Sequence, residues 1–380
     1  MRDFSNIKRI IVKIGSSSIV NNDLSINKNL INSLMSSIKL LNENNILACI
    51  VTSGAIALGM NVLGLEKKPK NMALKQACAA IGQAKLMQEY NLEAEKFNLK
   101  CGQILLNHDD FEIRKRMLYL SNTLDEMFKN KVIPIINEND ALAVEEIKVG
   151  DNDTLASLIS PMIHADLLIL FSDIDGLYDK NPKIYKDAKM INDVYDITPE
   201  IMAMATENTS LVGTGGMVTK LRAAKICNSC KCDMIICNSS LIYKINDIVK
   251  GLEVGTLFHK NEIGISSREH WMIYKTNSCG SIVIDDGCAK ALGIKKISIL
   301  AKGIVDVNGE FSKGNVIDVL NISGSVLAKG IVNFSSKEIN DLIGLSNDDI
   351  KKLLNKKPEI IHADNLVKIG CDYDARWWLN

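Results

Sequence analysis

The sequence has no excess charge of either sign and no long apolar stretch. Its 45 lysines and arginines balance 45 aspartates and glutamates, so the formal net charge is zero. A chain without a basic bias is not typical of a nucleic-acid-binding protein. No apolar run reaches the roughly 18 residues that a membrane-spanning helix needs. The apolar run at residues 10–12 is shorter than the hydrophobic region of a signal peptide, and we therefore expect a cytoplasmic protein without membrane association.

Cysteine pairs with the spacing of a metal site are also scarce, although the chain has ten cysteines. Cys227, Cys230 and Cys232 are close together, but no second cysteine or histidine pair follows them, which disfavours a structural zinc site. Most other cysteines lie singly in apolar runs, where a reduced cysteine packs as a small hydrophobic residue: Cys49, Cys78, Cys101 and Cys237. This usage favours a reducing compartment.

The sequence contains no Walker A motif, which excludes an ordinary P-loop enzyme. It does contain two other combinations of glycine and lysine, one at residues 213–220 and one formed by Lys13 and Gly15. Glycines allow backbone N–H groups to turn toward an anion, and the start of a helix adds the positive end of its dipole. Two such units predict a site for several phosphates, and hence phosphoryl transfer. Each unit alone is equally compatible with a glycine turn beside a surface lysine.

Short β-branched runs alternate with helical patterns from residue 10 to about residue 239. Such alternation predicts a mainly parallel sheet covered by helices on both faces. The predicted strands occupy residues 10–14, 46–52, 102–106, 132–136, 167–171 and 233–237, and the predicted helices residues 26–41, 72–97, 122–128, 155–163 and 221–230. Ligands bind beyond the carboxyl ends of the strands in such sheets. Polar groups at four of these ends predict a site there, at residues 13–15, 53–54, 137–140 and 172–173.

The pattern changes after residue 259. Residues 280–330 carry short apolar runs separated by glycine turns, which predicts a small β-rich barrel of about 80 residues. A helical pattern follows at residues 336–354, and residues 261–267 form the predicted linker. A chain of 380 residues exceeds one common core, and we expect two domains, at residues 1–262 and 275–370.

These motifs together resemble the bacterial glutamate 5-kinases, which combine an amino-acid-kinase domain with a C-terminal PUA domain. The resemblance covers nearly the whole chain and is carried by residues 51–56, 75–76 with 81–83, 137–140, 148–153, 172–178, 213–220 and 255–259. Asn-Glu-Asn-Asp at residues 137–140 together with Gly-Asp-Asn-Asp at residues 150–153 is specific for this family among amino-acid kinases. The resemblance implies a three-layer αβα sandwich with a mainly parallel sheet, followed by a small β-rich PUA-like barrel.

The resemblance also implies an activity. The expected reaction converts ATP and L-glutamate into γ-glutamyl phosphate and ADP, which is the first step of proline biosynthesis, with proline as an inhibitor. Mg²⁺ is expected to be held by ATP phosphate oxygens and water rather than by a dedicated set of protein ligands. A homo-oligomer, either a dimer or a tetramer, is implied, and glutamyl phosphate reductase is a further possible partner.

Individual residues receive roles from the same resemblance. Lys13 and Lys220 are expected to flank the transferring phosphoryl group, with Asp153 holding both ammonium groups, and these three are the implied catalytic residues. The substrate-binding positions that match the family are Ser53, Gly54, Ala55, Asp140 and Asn152. The nucleotide-binding positions that match it are Lys13, Gly15, Ser16, Ser172, Asp173, Thr214, Gly215, Gly216, Met217, Val218, Thr219 and Lys220.

Several alternatives remain open from the sequence. Asp151 and Asp153 are also suited to capping the helix that follows them. The run His108-Asp109-Asp110 fits no standard metal motif and is interpreted as part of a loop near the substrate pocket. Residues 175–182 are interpreted as a turn bordering the nucleotide.

Other functions are weighed against the glutamate kinase. One is a kinase for another acidic metabolite, such as N-acetylglutamate, aspartate or a nucleoside monophosphate. Asp140, as a partner for a free ammonium group, argues against the N-acetylated substrate. Another is RNA binding through the PUA-like unit. Its lysines alternate with acidic residues, and no basic stripe with stacking aromatics is present, which disfavours RNA.

Overall fold

The structure is a computed structural model of the chain. It describes residues 1–107, 109–142, 152–182, 184–207, 216–261, 269, 272, 278–295, 297–345, 350 and 358–369. The chain divides into two compact units, Met1–Ser266 and Ser267–Asn380.

The first unit is built on one large sheet. Its strands are β1 (Arg9–Ile14), β2 (Leu47–Val51), β3 (Lys100–Leu106), β4 (Val132–Glu138), β5 (Leu167–Ser172), β6 (Leu177–Tyr178), β7 (Met190–Ile191), β8 (Asp193–Val194), β9 (Asp233–Asn238) and β10 (Thr256–Phe258). Eight of these strands form the sheet, in the order β3-β4-β2-β1-β5-β9-β10-β8, while β6 and β7 pair separately. The first six strands in this order, which end with β9, are parallel to one another, and β10 runs antiparallel to β9.

Helices cover this sheet on both faces. They are α1 (Ser16–Ile19), α2 (Lys28–Glu43), α3 (Ala55–Val62), α4 (Met72–Glu95), α5 (Asp109–Glu112), α6 (Arg114–Lys129), α7 (Asn152–Ile159), α8 (Pro199–Glu207), α9 (Met217–Ser229) and α10 (Ile245–Val249), with a 3₁₀ turn at Ser239–Lys244. Ile10, Val12 and Ile14 of β1 share a core with apolar residues of α2 and α4. Because side chains alternate along a strand, Lys13 points to the other face, where α7 packs on β1. The predicted parallel sheet with two helical layers is thus confirmed.

Two glycines allow α3 and α4 to pack very closely. A Cβ atom at Gly82 would overlap the carbonyl oxygen of Ala55, and one at Gly59 would overlap the carbonyl oxygen of Cys78. Only glycine avoids these overlaps without moving a helix backbone. The start of α3, which follows β2 directly, is therefore held against α4.

Some element boundaries differ from the sequence prediction. Helix α6 begins at Arg114, well before the predicted residue 122, because its first turns carry charged residues that hide the apolar period. Helix α7 begins at Asn152 and ends at Ile159, so the prediction of residues 155–163 was displaced. The predicted turn at residues 175–182 was wrong in part, since Leu177–Tyr178 pairs with β7 as a short strand.

The second unit is mainly β structure. Its strands are β11 (Ser281–Ile284), β12 (Ile299–Leu300), β13 (Ile304–Asn308), β14 (Val316–Leu320), β15 (Val326–Ile331), β16 (Glu359–Ile361) and β17 (Leu366–Lys368). Five strands form a sheet in the order β13-β11-β14-β15-β17, and β12 pairs with β16. All pairs are antiparallel except β11 with β14.

Among the described residues, the helices α11 (Asp286–Ile294) and α12 (Ser336–Leu342) accompany the second sheet, with 3₁₀ turns at Ala301–Gly303 and Ala363–Asn365. Helix α11 was missed because its nine residues contain two glycines. A capping box formed by Ser335 and Glu338 begins α12 where the sequence predicts a helix. The helix ends at Leu342, so the predicted end was wrong, and residue 354 itself lies outside the described residues. So do Lys296 and the linker, apart from Asn261.

Candidate active site

A buried ionic cluster lies beside the carboxyl end of β1. Asp153, in the first turn of α7, forms an ion pair with Lys220 of α9, in which Lys220 Nζ lies 2.9 Å from Asp153 Oδ2. Asp153 Oδ1 forms a second ion pair with Lys13 of β1. The exposed fractions are 1% for Asp153, 8% for Lys13 and 6% for Lys220. One carboxylate thus joins three elements that are far apart in sequence.

Electrostatics keep Asp153 ionised in this cluster. Burial alone would raise the pKa of the Asp153 carboxyl, but the charges and hydrogen bonds of Lys13 and Lys220 outweigh burial and lower that pKa below its ordinary value. Two ammonium groups and one carboxylate carry a formal charge of +1. A buried positive excess of this kind attracts an anion.

Two backbone turns adjoin these lysines. Gly15 and Gly216 stand before α1 and α9, and no side chain among the described residues makes an N-cap hydrogen bond there, which leaves the first N–H groups suited to an anion. A Cβ atom at Gly15 would lie 3.9 Å from Lys13 Nζ, so the glycine keeps the backbone accessible beside the lysine. At Gly216, no atom of the described residues lies within 4 Å of the corresponding position. Both turns are suited to bind phosphate oxygens.

The other predicted nucleotide residues are distributed around the same edge. Met217, Val218 and Thr219 form the first turn of α9 with Lys220, and the Thr219 hydroxyl donates to the carbonyl of Gly216 at 2.7 Å. Ser16 begins α1. At the end of β5, the Ser172 hydroxyl donates to Asp173 Oδ1 at 3.1 Å. Thr214 and Gly215 lie outside the described residues, as do Gly213 and Asp151.

The turn after β2 forms another helix start at this edge. Gly54 adopts a φ of 100°, in the left-handed region, and has no side-chain cap for α3. A Cβ atom there would lie 2.8 Å from Ile19 Cγ2, so glycine is required for both conformation and space. Ser53 precedes this turn and Ala55 begins α3, which places a hydroxyl and open N–H groups together.

A series of neutral side-chain amides begins beside Ser53. Asn152, next to Asp153 in α7, donates from Nδ2 to Ser53 Oγ at 2.8 Å and to Asn137 Oδ1 at 3.1 Å. Asn137 donates to Gln83 Oε1 at 2.9 Å, and Gln83 donates to Gln103 Oε1 at 3.2 Å. Gln83 was not predicted as a site residue, although it belongs to the segment at residues 81–83 that carries the resemblance; Gln103 had no signal in the sequence.

Asp140 lies two residues beyond β4. Burial raises the pKa of its carboxyl, and the charge of Lys68 offsets part of that effect. Within the described part of the chain, its carboxylate makes no hydrogen bond or ion pair. A partly buried carboxylate in this state favours a cationic ligand.

The candidate metal motifs take other roles. Asp110 accepts a hydrogen bond from the Asn107 N–H at 2.8 Å and pairs with Arg116, and His108 lies outside the described residues. Cys227 and Cys232 are buried, and burial raises the pKa of the Cys230 thiol to about 12. The described residues contain no group of three or more His, Cys, Asp or Glu side chains placed to hold a metal ion.

Comparison with known proteins shows the family. Residues 8–238 match the amino acid kinase family, and residues 280–354 match the PUA domain. A glutamate 5-kinase of Caldanaerobacter subterraneus subsp. tengcongensis is 42% identical over 361 residues, which cover 94% of this chain and 97% of that protein. The glutamate 5-kinase of Geobacter sulfurreducens is 40% identical over 96% of this chain and 98% of its own length.

The chain belongs to the glutamate 5-kinase family. The resemblance inferred from the motifs is therefore confirmed, and so are the amino-acid-kinase fold and the C-terminal PUA domain. Solved structures align more loosely. Carbamate kinase from Giardia lamblia bound to AMP-PNP shows 15% identity and a TM-score of 0.48, over 68% of this chain and all of that one.

The ionic cluster around Asp153 and the group of side-chain amides around Asn152 both lie within the part of this glutamate 5-kinase family member that matches the kinase family. Membership of a kinase family implies use of ATP. None of the described helices is long and apolar enough to span a membrane.

Proposed function

We propose that this protein transfers the γ-phosphoryl group of ATP to the γ-carboxylate of L-glutamate, giving γ-glutamyl phosphate and ADP. The observation that carries the proposal is the cluster of Lys13, Asp153 and Lys220 at the strand ends, flanked by two helix starts that are open to anions. Glutamate as the substrate is supported by the names of relatives that match over nearly their whole length.

The reaction needs charge stabilisation rather than a general base. A glutamate γ-carboxylate oxygen attacks the γ-phosphorus of ATP, and the bond from that phosphorus to the bridging oxygen breaks, with its electron pair leaving on ADP. Two anions must meet while negative charge spreads over the transferring oxygens. Lys13 and Lys220 supply two positive charges for this step, and Asp153 holds both of them in a fixed geometry, so little reorganisation is needed.

On the nucleotide side, the open N–H groups after Gly15 and Gly216 are suited to bind ATP phosphates, with Ser172 and Asp173 at the adjacent strand end. Mg²⁺ would be held mainly by phosphate oxygens and water, because Asp153 is already occupied by two lysines. When bound, the ion would neutralise part of the phosphate charge.

On the substrate side, the α-ammonium group would bind near Asp140 and Asn152. The α-carboxylate would bind at the Ser53 hydroxyl and the open start of α3, through Gly54 and Ala55. Asp140 also distinguishes between candidate substrates, since a buried carboxylate favours a free ammonium group over the acetylated nitrogen of N-acetylglutamate.

We further propose that the enzyme opens proline biosynthesis and is inhibited by proline at a site that overlaps the amino-acid pocket. Proline carries the same α-ammonium and α-carboxylate groups, so the same residues could hold it. The loop residues expected to tune this balance, Glu145, Glu146 and Lys148, lie outside the described residues. Raising glutamate should relieve the inhibition, whereas inhibition that persists at saturating glutamate would require a separate site.

One assay tests the main proposal. Release of ADP would be measured with L-glutamate, N-acetylglutamate, aspartate or UMP as acceptor, at saturating ATP and Mg²⁺. We expect L-glutamate to give the highest kcat/KM by far. A higher value for any other acceptor would overturn the substrate assignment while leaving the phosphoryl-transfer cluster intact.

A further inference from the structure

Side-chain amides behind the amino-acid pocket form a directional chain. Each amide donates from its nitrogen to the oxygen of the next: Asn152 to Asn137 at 3.1 Å, Asn137 to Gln83 at 2.9 Å, and Gln83 to Gln103 at 3.2 Å. An amide has one donor end and one acceptor end, so the direction of each link depends on its neighbours.

A backbone group sets this direction. The N–H of Glu138 donates to Asn137 Oδ1 at 2.9 Å, and a backbone N–H cannot act as an acceptor. Turning the Asn137 amide over would place two donors face to face at this point and two acceptors face to face at Gln83. Asn137 is only 1% exposed and Gln83 only 7%, so water cannot readily replace the lost partners.

The direction of these hydrogen bonds decides which groups remain free at Asn152, the first amide of the series. Asn152 uses both Nδ2 protons, toward Asn137 Oδ1 and Ser53 Oγ. Its Oδ1 is buried and has no hydrogen-bond partner among the residues that the structure describes. Ser53, which accepts from Asn152, keeps its own hydroxyl proton for another acceptor. An acceptor without a partner among the described residues, Asn152 Oδ1, therefore belongs to the same amide that donates to the Ser53 hydroxyl.

We propose that Gln83 and Asn137 are positioning residues that set the polarity of the amino-acid pocket. They hold Asn152 Oδ1 toward the substrate ammonium group and free the Ser53 hydroxyl to donate to the α-carboxylate. This inference rests on the proposed function and deepens it, because it explains how the pocket selects a free α-amino acid. Glutarate, which has no amino group, leaves the buried Asn152 oxygen without a partner and is rejected for that reason.

The test compares L-glutamate with glutarate in variants of the amide chain. The dissociation constants of both ligands would be measured by titration calorimetry in the full-length protein, together with kcat/KM for glutamate and KM for ATP. Asn137→Leu removes the acceptor that orients Asn152. We expect the preference for glutamate over glutarate to fall about tenfold or more, the size of one hydrogen bond to a charged group, while the KM for ATP changes less than about twofold.

Three further variants sharpen the test. Asn137→Asp keeps the Oδ1 acceptor toward both Asn152 and the Glu138 N–H, while its other oxygen faces Gln83, whose amide must turn over to donate to it. This variant should retain the preference for glutamate. Gln83→Leu leaves Asn137 Nδ2 unpaired and should lower the preference less than Asn137→Leu. Gln88→Leu, on the exposed side of the same helix, should leave it unchanged.

The outcomes separate the alternatives. Equal weakening of glutamate and glutarate in Asn137→Leu and Gln83→Leu would show a merely structural role and overturn the inference, as would no weakening of either. If Asn137→Leu does not fold, Gln83→Leu decides by the same ratio. Failure of the proposed function looks different, since the unaltered protein would then release no ADP with glutamate.

Discussion

Two adjacent residues at the start of α7 belong to two clusters of opposite character. Asp153 lies in an ionic cluster with Lys13 and Lys220, whereas Asn152 lies in a cluster of neutral amides with Ser53 and Asn137. A charge attracts a counter-charge from any direction, which suits a phosphoryl group that moves during the reaction. Amides are directional and suit a head group that must stay in place. The cluster proposed for phosphoryl transfer and the cluster proposed for substrate recognition thus meet within one turn of α7.

The largest effect is expected from the ionic cluster. Lys220→Ala should lower kcat by about a hundredfold to a thousandfold, because a preorganised positive charge at the transferring group is lost. The KM for glutamate should change little. Steady-state kinetics would measure both values. Lys225→Ala, exposed on the same helix, is the matched control and should behave as the unaltered protein does. A loss of less than roughly threefold at Lys220 would remove it from the catalytic step.

The recognition side should show the opposite pattern. Asp140→Ala should raise the KM for glutamate about thirtyfold or more, since truncating a buried charge partner costs about 2–5 kcal/mol. The KM for ATP and the phosphoryl-transfer rate at saturating glutamate should be nearly unchanged. Equal changes in the KM for glutamate and the KM for ATP would place Asp140 outside the amino-acid pocket. They would also contradict the separation of substrate recognition from phosphoryl transfer.

A smaller effect is expected from the packing that supports recognition. Gly82→Ala should destabilise the protein by about 1–3 kcal/mol, because the new methyl group overlaps the carbonyl of Ala55 and pushes α3 away from α4. Thermal unfolding would measure the loss, and the KM for glutamate should rise with it. Gly293→Ala is the control: its methyl group meets nothing within 4 Å, and the helix α11 should gain slightly in stability. A stable Gly82→Ala variant would show that the helices adjust freely.

The smallest effect concerns pH. Burial raises the pKa of Asp140, so on acidification it takes up a proton above the ordinary aspartate value of about 3.9. Since protonated Asp140 cannot pair with the ammonium group, the KM for glutamate should rise a few-fold as the pH falls through this raised pKa. The Asp140→Asn variant should lack this rise. An identical acid limb in both proteins would assign the titration to another group.

The carboxyl groups of Asp140 and Asp153 have opposite effects on the pH dependence of stability. The folded state binds the Asp140 proton more tightly than the unfolded state does, so this group favours folding at low pH and the benefit disappears as pH rises through the raised pKa. Asp153 has a lowered pKa, so its contribution is present above the ordinary value and is lost as pH falls through the folded pKa.

The sequence by itself was enough for the six parallel strands of the large sheet and for the family. Apolar runs at residues 10–14 and 167–171 predicted β1 and β5 because buried parallel strands are apolar on both faces. The motifs around Ser53, Asn137 and Lys220 led to the family through their order and spacing. Helix α6 was predicted too short because charged residues in its first turns carry no apolar period.

Contacts between distant segments were decided only by the tertiary structure. The polarity of the Asn152 amide depends on Asn137 and Gln83, which lie 15 and 69 positions away, and no local pattern encodes which end of an amide faces a pocket. The close packing of Gly82 against Ala55 was also decided by the tertiary structure, because in the sequence Gly82 is an ordinary glycine within a helical pattern. Local propensity and periodicity act within a few residues along the chain, whereas hydrogen-bond direction and backbone contact arise from the surfaces that folding brings together.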